Sequence, residues 1–109
     1  MRKLHIALST SRIEDTIADY SARLGVEPCS FVAGEYALWR TESLNLSIRH
    51  DPTCPAGTLR HLGWEDPDAA TSSEDVDVNG ITWERFSAEQ QAGEINALWP
   101  EAKYSPSDD

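Results

Sequence analysis

Basic residues are scarce in this sequence of 109 residues. Nine Lys and Arg stand against nineteen Asp and Glu, which gives a formal net charge of -10. A surface of this charge repels a phosphate backbone, so we expect no nucleic-acid partner. Long apolar runs are also missing, since no stretch approaches the roughly 20 residues that span a bilayer. The first residues lack the apolar segment of a signal peptide, so we expect a cytoplasmic protein without a membrane partner.

Cysteine is rare as well. Cys29 and Cys54 stand far apart and outside any C-x-x-C grouping, which favours two reduced thiols over a disulfide framework or a zinc knuckle. The length is that of one ordinary domain, and 39% of the residues are hydrophobic, as in globular proteins. We therefore predict a single domain over residues 1–104, followed by an acidic, disordered tail at 105–109.

The chain opens with a strand pattern. Leu4, Ile6 and Leu8 alternate with His5, Ala7 and Ser9, and this period of two is typical of a half-buried strand. The alternation places the aliphatic side chains on one face of the strand. It places the imidazole of His5 on the other face.

A helix is predicted next, over residues 12–24. Ser11 stands three residues before Glu14, which is the spacing of a capping box at a helix start. Apolar residues then recur at spacings of three and four, and Gly25 can adopt the left-handed conformation that ends a helix.

Three short strands, at residues 29–32, 36–40 and 44–49, are predicted to form an antiparallel meander. In the last of them Asn45, Ser47 and Arg49 alternate with aliphatic residues, so they share one face of the sheet. That polar face lies either in solvent or along a ligand pocket. In the second case Arg49 would pair with an anionic ligand.

The segment 66–80 in the second half of the chain has few apolar residues. We predict an extended segment at 59–65, a loop with at most one helical turn at 66–80, and two last strands at 81–86 and 94–99. Residues 66–80 have too few apolar residues to form a helix that covers this side of a sheet. We therefore expect a homodimer, in which a second copy covers that side.

Several segments, in this order along the chain, resemble landmarks of the vicinal oxygen chelate superfamily, which includes glyoxalases, fosfomycin-resistance proteins and extradiol dioxygenases. The similarity is to the branch with cadmium-induced and organoarsenical-lyase-like proteins. It implies an α+β fold of βαβββ modules with a curved mixed or antiparallel sheet, here glyoxalase-like with a truncated second module. The segments are Leu4-His5-Ile6-Ala7-Leu8, the helix end Ala22-Arg23-Leu24-Gly25-Val26-Glu27-Pro28, Tyr36-Ala37-Leu38-Trp39-Arg40, Leu44-Asn45-Leu46-Ser47 and Leu59-Arg60-His61-Leu62-Gly63-Trp64-Glu65.

The resemblance implies a divalent metal, such as Fe, Mn, Ni, Zn or Co, held by a His on the first strand of each module and a Glu on the last strand. His5 and His61 match the two histidine positions. The family pattern Gly-Asn-x-x-Glu corresponds here to residues 93–97, with Ala97 where the carboxylate belongs. Two imidazoles and a carboxylate would leave positions open for substrate oxygens.

Two functions remain open at this point. In the first, the protein is a metal-dependent lyase or dioxygenase with Glu65 or Glu94 as a base, and with Asn45, Ser47 and Arg49 binding a small-molecule ligand. In the second, His5 and His61 are ordinary sheet histidines bonded to their neighbours. The chain would then be a non-catalytic ligand-binding or dimerisation module without a metal.

Overall fold

One mixed sheet and two helices make up the α+β fold of this computed structural model, which describes residues 1–106. Within that range the sheet has seven strands. The elements are β1 (Lys3–Thr10), α1 (Ile13–Leu24), β2 (Ser30–Val32), β3 (Tyr36–Arg40), β4 (Leu44–His50), β5 (Thr58–Glu65), β6 (Ser73–Val76), β7 (Thr82–Phe86), α2 (Ala88–Leu98) and a 3₁₀ turn at Pro100–Ala102.

The strand order is β2-β3-β4-β1-β5-β7-β6. β1 and β5 are antiparallel neighbours at the centre. On one side β4 runs parallel to β1 and β3 antiparallel to β4; on the other side β7 runs parallel to β5 and β6 antiparallel to β7. The two halves of the sheet thus repeat the same strand directions. The first strand of each half, β1 or β5, lies at the middle of the sheet. The antiparallel pairing of β2 with β3 and of β3 with β4 confirms the predicted meander.

The larger apolar core lies between α1 and the first half of the sheet. Ile13 of α1 packs with Ala37, Trp39, Leu46 and Ile48, all of them buried, and Ile6 and Leu8 of β1 pack against this core. The aliphatic residues of β1 therefore face the helix, as their alternation predicts. His5 faces the opposite side and is only 2% exposed.

On that opposite side α2 packs across β2 and β3. Ile95 of α2 is buried with Val32, Tyr36 and Leu38, and Tyr36 stacks on Trp99 with ring centroids 4.8 Å apart. The helix covers this face beside the central strands and forms one wall of the pocket described below.

The predicted capping box of α1 is wrong. The N-cap residue is Arg12, without a side-chain cap, and Ser11 is exposed. Because β1 continues to Thr10, the hydroxyl of that residue accepts the Arg12 N–H at 3.0 Å. The end of α1 at Gly25 is confirmed, since this residue has a φ of 72°.

The strand predicted at 94–99 is also wrong, because most of it lies in α2. A capping box between Ser87 and Gln90 starts this helix, and Gln91, Ala92 and Ile95 fall on its buried face at helical spacing. Gly93 reads as a loop residue in the sequence, but the helix runs through it.

The segment 66–80, predicted as a loop, contains the edge strand β6. All four of its side chains are exposed and the strand pairs only with β7. A strand that buries nothing has no hydrophobic alternation for a sequence pattern to detect.

The remaining expectations concern membranes and the tail. Within residues 1–106 neither helix has the length and apolar character to cross a bilayer. Ser105 and Pro106 have no regular secondary structure. The rest of the predicted disordered tail, 107–109, lies outside the described residues.

Candidate metal centre

His5 and His61 meet at the centre of the sheet. His5 pairs with Gly63, and His61 lies opposite Ala7 two residues further along β1, so both imidazoles project from the same face. Their Nε2 atoms are 3.0 Å apart. Two nitrogens that share one ion with bonds of about 2.1 Å would be roughly 3–3.5 Å apart. The separation therefore suits two ligands of one metal ion.

Glu84 of β7 supplies a carboxylate beside them. β7 runs parallel to β5 with Glu84 opposite Gly63, and its Oε1 is 3.1 Å from His61 Nε2. Ligand atoms of the three residues all lie within 4.8 Å of one another. Two imidazoles and one carboxylate on one side of an ion are a common ligand set for Fe(II) and related divalent metals, and they leave positions open for a substrate.

Gly63 allows β5 and β7 to approach closely at this point. A Cβ at residue 63 would overlap the carbonyl oxygen of Glu84 and would lie 3.0 Å from its carbonyl carbon and its amide nitrogen. Any larger residue would push β7 away, because backbone atoms cannot rotate aside as a side chain does. The glycine thus holds Glu84 within reach of His61.

Asn45 fixes the tautomer of His5. The Nδ1 atom of the imidazole lies 2.9 Å from Asn45 Oδ1 and 3.2 Å from the Asn45 carbonyl oxygen. Both oxygens are acceptors, so Nδ1 carries the proton and donates it. The neutral ring then has its lone pair on Nε2, the atom that faces His61 and Glu84.

A buried salt bridge sets the orientation of Asn45 in turn. The amide Nδ2 donates to Glu65 Oε1 at 2.7 Å and to Gln91 Oε1 at 2.8 Å. The oxygen Oδ1 therefore faces His5, and it also accepts from Gln91 Nε2 at 3.2 Å. Arg40 donates to both oxygens of Glu65, at 2.8 and 2.9 Å. Burial alone would raise the pKa of Glu65, but the hydrogen bonds from Arg40 and Asn45 outweigh it, and the pKa lies below its usual value. Glu65 is therefore an ionised acceptor.

The protonation states around the site are those that bind metals. Burial lowers the pKa of His5 below its ordinary 6.5, so the ring stays neutral near neutral pH. The hydrogen bond from His61 lowers the pKa of Glu84, which is therefore a carboxylate. A proton on His61 Nε2 can reach both His5 Nε2 and Glu84 Oε1. A metal ion between these three atoms would take the place of that single proton.

The three side chains line a pocket between the sheet and α2. Its free volume is about 60 Å³, which is room for a few water molecules, since a single one needs at least about 10–15 Å³. Tyr36, Ser47, Arg49 and Arg60 also line the pocket. The open side of the triad thus faces a small space with a polar and cationic wall.

The structure separates the other predicted site residues into two groups. Ser47 and Arg49 line the pocket, and so does Glu94, which is exposed on α2. Asn45 is 0% exposed and lies behind His5. Glu65 does not line the pocket and is held by Arg40 and Asn45.

Sequence reasoning missed Glu84, because the third ligand was expected among residues 93–97. Ala97, at the expected position, lies on α2 and is exposed. The signal for Glu84 was present in the strand predicted at 81–86. In that strand Thr82, Glu84 and Phe86 share one face by alternation, and Glu84 is the only carboxylate among the six residues.

Comparisons with known proteins do not place the chain in a family. No protein-family model matches it, and no curated protein matches it either. The case for a function therefore depends on the geometry of the site and on the resemblance of the quoted segments.

Proposed function

We propose that this protein is a divalent-metal-dependent enzyme of the vicinal oxygen chelate type, with His5, His61 and Glu84 as metal ligands. The observation that carries the proposal is the convergence of three donor atoms at 3.0 and 3.1 Å on the floor of a pocket. In a chain with only three histidines, two of them lie next to each other with their Nε2 atoms facing.

The positions of the ligands in the sheet support the resemblance. The family arrangement takes a His from the first strand of each module and a Glu from the last strand. Here β1 and β5 carry the histidines. β7 is the parallel neighbour of β5, as β4 is the parallel neighbour of β1. Glu84 on β7 therefore occupies the place in the sheet that the resemblance assigns to the carboxylate, although its sequence motif differs.

Each neighbouring residue has a separate task in this proposal. His5 offers the Nε2 lone pair, and Asn45, Glu65 and Arg40 hold its ring in place. Such supporting partners orient the ligands and tune their basicity. A bound divalent ion would act as a Lewis acid on adjacent oxygens of a substrate in the pocket. Lyase and dioxygenase chemistry of this superfamily both use that property.

The two predicted bases have different surroundings. Both carboxylate oxygens of Glu65 accept hydrogen bonds from Arg40, and one also accepts from Asn45, so we assign Glu65 to positioning His5. Glu94 is exposed at the pocket, and its carboxylate has access to a bound molecule. Glu94 is therefore the remaining candidate for a general base.

One observation favours the alternative, a ligand-binding module without a metal. A proton on His61 Nε2 satisfies both His5 Nε2 and Glu84 Oε1, so the three side chains can hold together by hydrogen bonds alone. Metal binding distinguishes the two functions.

The test is a titration of tag-free, metal-free protein with Co²⁺, followed by calorimetry and by visible absorption. We expect one equivalent to bind, with the absorption bands of a coordinated ion. His5→Ala, His61→Ala and Glu84→Gln should each weaken binding by more than the 10–100-fold that is typical of losing a supporting partner.

Two variants serve as matched controls. His50→Ala removes the third histidine, whose Nδ1 has no hydrogen-bond partner in the described part of the chain, and Glu35→Gln removes an exposed carboxylate. Both should bind Co²⁺ like the unmodified protein. Absence of stoichiometric Co²⁺ binding would contradict the proposal, as would equal losses in the control and ligand variants.

A further inference from the structure

Two arginines stand on the wall of the pocket that holds the triad. Arg49 comes from β4 and Arg60 from β5, and both line the same space as His5, His61 and Glu84. Arg49 shares a face with His5 because it lies opposite Ser9 of β1, four residues beyond His5. The sequence predicts this orientation for Arg49, but it gives no sign that Arg60 joins it.

A β-bulge places Arg60 beside His61. Adjacent residues of a regular strand point to opposite faces, yet Arg60 and His61 both line the pocket. The pairing of β1 with β5 shifts between Ala7, which faces His61, and Leu8, which faces Leu59. Arg60 is thus the extra residue of the bulge. Bulges commonly redirect a side chain next to an active site.

Neither the guanidinium of Arg49 nor that of Arg60 lies within salt-bridge distance of a carboxylate in the part of the chain that the structure describes. Arg49 Nε is buried without a hydrogen-bond partner in this range, and its guanidinium carbon lies 5.4 Å from the centre of the Trp99 ring. A buried guanidinium N–H without an acceptor is costly.

The wall of this pocket is not acidic as the protein as a whole is, because its two arginines balance its two carboxylates. The chain carries -10 overall, but Arg49 and Arg60 face one carboxylate of the triad, Glu84, and the exposed Glu94. A divalent ion in the triad would add two positive charges. The pocket would then attract anions and repel cations, although the rest of the surface does the reverse.

We propose that Arg49 and Arg60 form an oxyanion subsite and that the substrate is a small acid. Its carboxylate or phosphoryl group bonds to the two guanidinium groups, and its neighbouring oxygens face His5, His61 and Glu84. The assignment of those neighbouring oxygens rests on the proposed metal function, but the anion subsite does not. The free volume of about 60 Å³ limits the buried part of the ligand to a few atoms.

The test reads the side-chain Nε–H signals of arginine by NMR in ¹⁵N-labelled, metal-free protein. Inorganic phosphate and glycolate are added separately, so that the phosphoryl and carboxylate sources are distinguished. We expect saturable shifts of the Arg49 and Arg60 signals with at least one of the two probes. Arg49→Gln and Arg60→Gln should each weaken that binding by about tenfold or more, because each removes a charge-assisted hydrogen bond.

Arg23→Gln is the matched control, since it removes the same charge from an exposed arginine paired with Asp19. It should change the affinity by less than about twofold, because surface charges are well screened. Arg49→Lys preserves the charge if Arg49→Gln does not fold, and it should bind more weakly than the unmodified protein because it lacks the planar fork. Shifts that do not saturate, or equal losses in Arg23→Gln and Arg60→Gln, would overturn the subsite.

The two proposals fail in different ways. If Co²⁺ binds the triad but neither anion needs Arg49 or Arg60, the subsite is wrong and the metal function stands. If Co²⁺ does not bind but phosphate or glycolate still shifts both arginine signals, the metal function is wrong and the pocket is an anion-binding site. Glu84→Gln adds a further check. It removes a negative charge and should tighten anion binding in metal-free protein, while it weakens Co²⁺ binding by more than about 10–100-fold.

Discussion

Replacement of Asn45 by Ala probes the support of the metal centre without touching a ligand. The side chain of Asn45 joins three buried groups: it accepts from His5 Nδ1 at 2.9 Å and donates to Glu65 and Gln91. In Asn45→Ala the Nδ1 atom of His5 keeps only the backbone carbonyl of residue 45, at 3.2 Å. Glu65 loses one of its donors.

The magnitude follows from the bonds that are lost. Bonds between neutral groups contribute about 0.5–1.5 kcal/mol each and a bond to a charged group about 1.5–3 kcal/mol, so the loss of two neutral bonds and one charged bond should lower the free energy of unfolding by about 2.5–6 kcal/mol. Metal affinity should fall by about 10–100-fold, because the partner that orients a ligating His is removed. The first effect is measured by urea unfolding of metal-free protein. The second is measured by Co²⁺ titration under conditions in which the variant is folded.

Asn96→Ala is the matched control. Asn96 makes two hydrogen bonds with the backbone of Tyr104, both 2.8 Å long, away from the triad. It should lower stability and leave the Co²⁺ affinity within about twofold, since additivity holds between separate sites. If Asn45→Ala lost stability without losing affinity, or if Asn96→Ala weakened Co²⁺ binding as much, the assigned role of Asn45 would be wrong.

Three more predictions concern the strands around the site, pH and assembly. Gly63→Ala should weaken Co²⁺ binding and lower the melting temperature, because its Cβ would overlap the backbone of Glu84; normal Co²⁺ affinity in a folded variant would count against this. Burial lowers the pKa of His5 from 6.5, so below about pH 6.5 the unfolded chain binds a proton that the folded one does not. Urea unfolding should then show that the free energy of unfolding decreases as the pH is lowered, by up to about 1.4 kcal/mol per pH unit. His5→Gln should lack this contribution to the slope. Glu84 contributes a second decrease in stability at lower pH, because its pKa is lowered from an ordinary value of 4.5. Finally, Trp64 and Trp83 lie half-buried on a face of β5 and β7 that neither helix among residues 1–106 covers. Light scattering should therefore show a homodimer; a monomer at micromolar concentration would contradict it.

Much of the site could be predicted from the alternation of residues along the strands. The period of two in β1 puts His5 opposite the aliphatic residues, and the period in β4 puts Asn45, Ser47 and Arg49 on one face. Both are found in the structure. The alternation cannot say whether a polar face is covered. Here α2 covers it, because Gln91 bonds to Asn45 and Ile95 packs on β3.

Other features depend on pairing between distant strands and lie beyond a local pattern. Arg60 reaches the pocket only through a bulge in the register of β5 against β1. Glu84 reaches His61 because β7 lies beside β5, at the contact that Gly63 permits. The family pattern for the carboxylate falls at residues 93–97, which the structure places in α2 and not in a strand. The capping box of Ser87 and Gln90 was the local signal for a helix there.

The most direct test of the metal centre is anomalous diffraction from crystals of the protein loaded with Zn²⁺. We predict one strong peak at about 2.0–2.2 Å from His5 Nε2, His61 Nε2 and a carboxylate oxygen of Glu84. Crystals with no peak between these three side chains, or with the zinc held by other residues, would contradict the account.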